Sequence, residues 1–445
     1  MHWKPVQVLV VGFAALIIGG ALILTLPIST RSGHSVGFYD ALFTATSAVC
    51  VTGLAVVETG QTYSTFGQVV IMLLIQMGGL GFMTVTSLIF MIMGRRITLK
   101  DRLIIQEAMN ESRLSGLVKL VRWVLLTTVT IELAGALVLS TRFVPDYGLA
   151  QGLFFGLFHS VSAFCNAGFD VLGAGTSLMP YANDWVVNIT IMALITFGGL
   201  GYSVIRDIVV HRGLRGLNLH SRVVIITTLS ITLSGAIMFA LLEWENPGTL
   251  NDGQKNAADK LIASFFQSVT TRTAGFATID QASMHAPSKL LTTIMMFIGA
   301  SPASTGGGVK TTTVAVLFAL IISQVRGRKQ VLMGQRALPH TLVLRATSIF
   351  LIMLMLVLVS TMVLSFSMRE AQPFDEVLFE TTSAIGTVGL SCNMTPKLNF
   401  VSRMIVILLM YAGRVGPLSL TMALARQQLY SEDPVRYPED RLMIG

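Results

Sequence analysis

Four short stretches of the chain could exchange the water around a metal cation for peptide oxygens. They read Ser47-Ala-Val-Cys-Val-Thr-Gly53-Leu54, Ser162-Ala-Phe-Cys-Asn-Ala-Gly168-Phe169, Val269-Thr-Thr-Arg-Thr-Ala-Gly275-Phe276 and Ser383-Ala-Ile-Gly-Thr-Val-Gly389-Leu390. Each glycine follows a phenylalanine by ten residues: Phe43, Phe158, Phe265 and Phe379. The copies recur at about 110-residue intervals, which marks an internal repeat. An extended stretch can turn its carbonyls onto a dehydrating ion only where no Cβ obstructs, and glycine supplies that position. The expected selectivity filter is therefore Cys50, Val51, Thr52 and Gly53; Cys165, Asn166, Ala167 and Gly168; Arg272, Thr273, Ala274 and Gly275; and Gly386, Thr387, Val388 and Gly389. Potassium is expected on their backbone carbonyls. The fourth stretch comes nearest to the Thr-Val-Gly-Tyr-Gly filter of potassium channels. No ring of acidic side chains stands at matching positions, which argues against a carboxylate filter. Arg272 is expected to point behind the filter, toward carbonyls or a carboxylate.

A second region also invites chemistry. Residues 299–313 read Gly299-Ala-Ser-Pro302-Ala-Ser-Thr-Gly306-Gly-Gly308-Val-Lys310-Thr-Thr-Thr313. Pro302 and three consecutive glycines cannot continue a helix at low cost. Intramembrane ionisable residues are functional candidates. The segment is expected to form a gate below the filter, built from Gly299, Pro302, Ser304, Thr305, Gly306, Gly307, Gly308 and Lys310. Arg414, a charge in an apolar run, is grouped with it. It either pairs with a backbone carbonyl of this loop or hinders ions electrostatically. A phosphate loop is a poor reading, because the Walker spacing and the preceding strand are missing. The related Gly78-Gly-Leu-Gly81 and Gly198-Gly-Leu-Gly201 read as small residues that let helices approach.

These stretches need a membrane scaffold. Apolar residues make up 53% of the chain and charged residues 12%, where a soluble domain needs about 25% charged. Long apolar runs predict eight spans in four pairs. First spans cover 6–26, 117–139, 223–242 and 344–366. Second spans cover 68–93, 186–210, 290–323 and 401–425. Between the members of each pair lies a helix too short to cross a bilayer, beginning near Asp40, Gln151, Asp259 and Asp375. Such a helix would aim its negative carboxyl end at the ion. The expected fold is an all-α polytopic membrane protein with one pseudo-fourfold pore. Its repeats cover 1–94, 95–212, 213–328 and 329–425, and residues 426–445 form a cytoplasmic tail. The run from residue 6 is longer than a signal-peptide core and lacks an Ala-x-Ala pattern, so it reads as a retained span.

The chain carries 31 Lys and Arg against 23 Asp and Glu. The cations cluster in alternate connections, at Arg95, Arg96, Lys100 and Arg102, then Arg206, Arg212, Arg215 and Arg222, then Arg326, Arg328, Lys329 and Arg336. This is the positive-inside bias, and it predicts a cytoplasmic location for both termini. A nucleic-acid surface is disfavoured, because no aromatic platform accompanies these charges. Cys50, Cys165 and Cys392 offer neither metal spacing nor a disulfide framework. No His, Cys and carboxylate cluster suggests an enzyme. His159 and Glu380 share a column of the repeat and read as packing residues.

Through Thr270-Thr-Arg-Thr-Ala-Gly275-Phe276, residues 299–313 and Gly413-Arg414, the chain resembles the Trk/Ktr/HKT superfamily of potassium transporters over nearly its whole length. Eight spans and about 445 residues look like the bacterial Ktr membrane subunits rather than the longer Trk ones. The resemblance implies potassium uptake across the bacterial plasma membrane, stimulated by sodium. It implies a homodimer with one pore per protomer, and a cytosolic regulatory ring of the RCK type that binds ATP, ADP or NAD(H). It places no cofactor on this chain. The competing reading is a secondary cation transporter with alternating access and inverted repeats. The parallel order of these repeats disfavours it.

Overall fold

The structure is a computed structural model that describes residues 5–81, 117–173, 175–211, 213, 216–368 and 372–416. Among the described residues, four helices are long and apolar enough to cross a bilayer by length and composition. They are α1 (Pro5–Thr25), α5 (Leu117–Tyr147), α9 (Leu219–Glu243) and α13 (His340–Ser367). Each is followed by a short helix: α2 (Phe38–Val49), α6 (Leu149–Phe164), α10 (Ala257–Thr270) and α14 (Phe374–Gly386). The connecting helices are α3 (Thr59–Thr62), α4 (Thr65–Leu80), α7 (Trp185–Leu200), α8 (Tyr202–Val210), α11 (Ala286–Phe297), α12 (Thr311–Val325) and α15 (Phe400–Val415).

An apolar core is buried, as in a water-soluble globule, yet large apolar side chains also face outward. Leu137, Leu241, Met362 and Phe366 stand exposed on the long helices, while Ser162, Thr270, Thr381, Thr382 and Ser383 are buried on the short ones. Lipid is an adequate solvent for the first set. The hydroxyls of Ser162, Thr270, Thr381 and Ser383 find partners inside the bundle.

The packing forms a closed circuit. Helix α4 packs on α6, α7 on α10, α11 on α14, and α15 returns to α2. Three side-chain ties sit at these junctions. Trp185 Nε1 donates to Asp259 Oδ1 at 2.7 Å, Lys289 pairs with Glu376 at 3.2 Å, and Arg403 pairs with Asp40 at 2.5 Å. The three acids lie at the amino ends of short helices, where unpaired N–H groups favour negative charge. Asp259 also completes a capping box with Asn256.

The second members of the pairs are not continuous helices. Helices α4, α7 and α15 each stop at a glycine with positive φ: Gly81 (+82°), Gly201 (+91°) and Gly416 (+90°). After Gly201 the chain resumes as α8 at a 94° bend. The parts of the expected spans 68–93 and 401–425 beyond Gly81 and Gly416, with the tail, lie outside the described residues. In the third pair, α11 and α12 are separated by the irregular segment 298–310. The glycines read as packing residues therefore serve two purposes. A Cβ on Gly78, Gly198 or Gly413 would stand about 2.0, 1.9 or 2.0 Å from the carbonyl oxygen of Val49, Phe164 or Ile385. The later glycine of each motif ends the helix.

Candidate functional site: a ring of four glycines above an irregular loop

Each short helix ends beside the centre and passes into a stretch with one repeated backbone pattern. Val51, Asn166, Thr273 and Thr387 hold positive φ of 55°, 59°, 66° and 52°, although none is glycine. Two residues later, Gly53, Gly168, Gly275 and Gly389 hold φ of 96°, 69°, 78° and 96°. The residue between each pair keeps negative φ. This alternation turns successive carbonyls toward one side of the chain. Strained left-handed backbone persists only where surrounding contacts enforce it. Hydroxyls of the short helices supply such contacts. Gly53 N and Gly389 N donate to Ser47 Oγ and Ser383 Oγ at 3.0 Å each. Ser162 Oγ and Thr270 Oγ1 donate to the carbonyls of Phe169 and Phe276 at 2.9 and 2.6 Å.

The four glycines close on one another. A Cβ on Gly53 would stand 2.5 Å from the Ala167 carbonyl oxygen, and one on Gly168 would stand 2.7 Å from that of Ala274. On Gly275 it would meet the Val388 oxygen at 2.4 Å, and on Gly389 the Thr52 oxygen at 2.1 Å. The order 53, 168, 275, 389 and back to 53 is a ring, with a neighbouring carbonyl against each glycine. Cys50, Cys165 and Gly386 lie buried just before the alternating residues. Cys165 Sγ turns away from the ring toward Gln76 Oε1, at 3.6 Å.

The third stretch departs from the register of the other three. Five residues separate Thr270 from Gly275, whereas six separate Ser47, Ser162 and Ser383 from their glycines. Phe43, Phe158 and Phe379 are fully buried, as is Phe266, while Phe265 is exposed. Counting back from the glycine chose Phe265; the helix buries the next residue. Arg272 lies in this shortened turn. Its Nη1 and Nη2 donate to Thr232 Oγ1 at 3.3 Å and Thr228 Oγ1 at 3.5 Å, both on α9. Its partners are thus hydroxyls rather than the expected carbonyls or carboxylate, and the guanidinium lies behind the ring.

The segment 298–310 packs directly against the stretches that form the ring. Gly307 N donates to Thr387 Oγ1 at 3.1 Å, and Thr305 Oγ1 donates to the Phe164 carbonyl at 3.1 Å. A Cβ on Gly306 would collide with Thr273 Oγ1. Gly299 N donates to the Val309 carbonyl at 2.8 Å, which joins the two ends of the loop. Gly308 takes a φ of +68°. Ser301 N and Thr305 N donate to the carbonyls of Gly199 and Gly198, and the Pro302 carbonyl lies against Gly201. Ser304 Oγ closes a local turn on the Ser301 carbonyl at 2.6 Å. Lys310 Nζ folds back onto the carbonyls of Gly306 and Gly307 at 2.7 and 3.4 Å.

Arg414 joins this loop to the first repeat. Its guanidinium donates to the carbonyls of Thr305, Gly78 and Gly79. The carbonyls of Gly78 and Gly79 lie in the last turn of α4, where that of Gly78 also accepts from Gly81 N at 3.2 Å, and a cation is favoured at such a carboxyl end. The sequence reading did not include Gly78 and Gly79 in the site. The Gly-Gly-x-Gly pattern carried the signal, since a helix that ends at its third glycine places the preceding carbonyls at the negative end of its dipole. On the far side of the loop lies a cavity of about 660 Å³. Gly81, Ser304, Lys310, Arg345 and Arg414 are among its lining residues.

Comparison with known proteins agrees with this architecture. Residues 4–433 match the TrkH family, described as a cation transport protein. The Ktr system potassium uptake protein B of Bacillus subtilis is 42% identical, covering 100% of this chain and 98% of that relative. The potassium/sodium uptake protein NtpJ of Enterococcus hirae is 40% identical, covering 99% and 97%. The crystal structure of the potassium transporter TrkH from Vibrio parahaemolyticus shares the fold with a TM-score of 0.74 at 17% identity, over 96% of this chain and 86% of that one. The chain belongs to the TrkH family of cation transport proteins.

Proposed function

We propose that this chain is the potassium-translocating membrane subunit of a Ktr-type uptake system in a bacterial plasma membrane. It catalyses no covalent chemistry. Potassium sheds its water in the ring, where carbonyls of the four stretches take the water's place. The carboxyl ends of α2, α6, α10 and α14 favour the cation there. The segment 298–310 is the gate, held closed by the bonds of Arg414 and Lys310. Four parallel repeats of span, short helix and broken span supply the walls, with both termini in the cytoplasm. The complete assembly is a homodimer, one pore per protomer, on a cytosolic RCK-type ring that carries the nucleotide. Sodium is the second cation of the system. The relatives named for potassium uptake, and the one named for potassium and sodium, support this reading.

The observation that carries the proposal is the closed order of four glycines, each backed by a carbonyl of the next stretch. The test is growth of a potassium-uptake-deficient bacterium at low potassium. The chain is expressed alone, with a candidate regulatory ring, and as Gly53→Ser, Gly168→Ser, Gly275→Ser or Gly389→Ser. Rescue by the wild type that is lost in the serine series is the expected result. Equal rescue by the serine variants would remove the filter from the mechanism.

A further inference from the structure

Directly after the buried phenylalanine of each short helix stands a polar residue: Thr44, His159, Gln267 or Glu380. All four are buried. In three repeats this residue reaches the chain that leaves the ring. Tyr63 Oη donates to Thr44 Oγ1 at 3.1 Å. Gln267 and Gln281 exchange two amide bonds, at 2.7 and 3.1 Å. Ser391 Oγ and Thr395 Oγ1 donate to the two carboxylate oxygens of Glu380 at 2.7 and 2.5 Å. Among the described residues, the second repeat has no equivalent tie. His159 Nδ1 meets the carbonyl of Phe155 on its own helix at 2.8 Å, and its buried Nε2 has no protein partner. Its ring instead lies among Phe143, Phe158 and Phe276.

The Glu380 tie attaches closest to a ring glycine. Ser391 is two residues beyond Gly389, and its hydroxyl also accepts from Met394 N and Thr395 N at 3.1 and 3.4 Å. The carboxylate thus fixes the whole turn 391–395 relative to α14. Gly389 lies between Gly275 on one side and Thr52 and Gly53 on the other. A displacement of this one turn therefore shifts oxygens on both sides of the ring. A ring of carbonyls discriminates cations through the number and spacing of its oxygens.

We propose that Glu380 is a positioning residue for cation discrimination, acting through Ser391 and Thr395 on Gly389, and that the polar column makes the fourth stretch the most firmly held and the second the most yielding. The inference rests on the ring's being the ion filter. It goes beyond that reading by naming a buried side chain that never meets the ion yet sets the preference.

The test compares potassium and sodium uptake into vesicles carrying the complete assembly, at matched amounts of protein. Loss of an outer partner of a cation site weakens ligand preference about 10-fold or more, so Glu380→Ala should lower the potassium-over-sodium ratio about 10-fold. Glu380→Gln keeps the shape and an acceptor oxygen and should stay within about 3-fold of wild type. His159→Gln, with no tie to lose, should move the ratio by less than about 2-fold. If Glu380→Ala does not reach the membrane, Ser391→Ala and Thr395→Val carry the test from the other side of the same bonds. A ratio equal to wild type in Glu380→Ala, or in both partner variants, with the two fluxes reduced alike, would leave Glu380 a packing residue and overturn the proposal. Absence of potassium preference in the wild type would overturn the filter reading instead.

Discussion

The ring and the loop beneath it touch, yet they are built from different materials. The ring presents backbone alone: four glycines, each with a neighbouring carbonyl where a Cβ would be. Charge is kept off it, and Arg272 is turned toward α9. The loop is held by side chains and by charge. Thr305, Thr387, Lys310 and Arg414 supply its side-chain bonds, and its partners include the carbonyls of Phe164, Gly198 and Gly199 near the ends of α6 and α7. Backbone geometry admits few alternatives. Side-chain bonds can be exchanged for water or for other partners. Under the proposed function, ion preference falls to the part that cannot rearrange, and opening to the part that can.

Replacing one ring glycine should have the largest effect. In Gly389→Ser the new Cβ falls 2.1 Å from the Thr52 oxygen, at a φ of +96°. Strain of about 3 kcal/mol at such a position corresponds to a potassium uptake about 100-fold lower. Uptake at matched protein level measures it. A loss confined to the amount of protein, with normal uptake per molecule, would break the division between ring and loop.

Arg414→Ala should come next and act in the opposite direction. It unties Thr305 from α4 and removes the guanidinium's bonds to the carbonyls of Gly78 and Gly79. Losing charge-assisted bonds worth about 2 kcal/mol should favour the displaced loop and raise unregulated flux about 30-fold. Arg414→Lys should not restore control, because one ammonium cannot span the partners that a planar fork reaches. Flux assayed with and without a candidate regulatory ring would show the change. If flux falls, the loop supports the ring rather than blocking the path.

Arg272→Met is expected to lower uptake about 5-fold, since the two hydroxyl bonds it loses are together worth about 1 kcal/mol. Thr228 and Thr232 can turn their hydroxyls to carbonyls of their own helix. Increased uptake would place the guanidinium in the ion's route and would weaken the claim that the ring excludes charge.

How far these regions were legible in the residues follows from the same contrast. The register of Gly53, Gly168, Gly275 and Gly389 was readable, because a position that no Cβ can occupy leaves the same letter in every copy. The irregular segment 298–310 was readable, because Pro302 and three glycines exclude a helix. The shortened third turn was hidden. Its glycine kept the count to Phe265, and only packing reveals that Phe266 is the buried residue. The positive φ of Gly81, Gly201 and Gly416 was also hidden, since a packing glycine and a helix-ending glycine are the same letter. The tie from Glu380 to Ser391 and Thr395 needed the return chain in place. Spacing alone put Glu380 in a column with His159, whose contacts are different.

The outer ties give the smallest effect and the sharpest control. Arg403 pairs with Asp40, and Lys289 with Glu376, at the edges of the helix circuit, away from both ring and loop. The Arg403 and Asp40 side chains are 25% and 28% exposed, and those of Lys289 and Glu376 are 10% and 19% exposed. Water screens the first pair more, so Asp40→Asn should destabilise by about 0.5 kcal/mol and Glu376→Gln by about 1 kcal/mol. Thermal unfolding of the purified assembly, at low and high salt, should show this order and a smaller difference at high salt. Neither variant should alter the potassium-over-sodium ratio or the unregulated flux. A tie at the perimeter can loosen the walls without moving a carbonyl at the axis, provided that the short helices are held locally by the hydroxyls of Ser47, Ser162, Thr270 and Ser383. A change in ion ratio with Asp40→Asn would mean that the ring takes its shape from the whole circuit, and ion preference and opening would then share one structure.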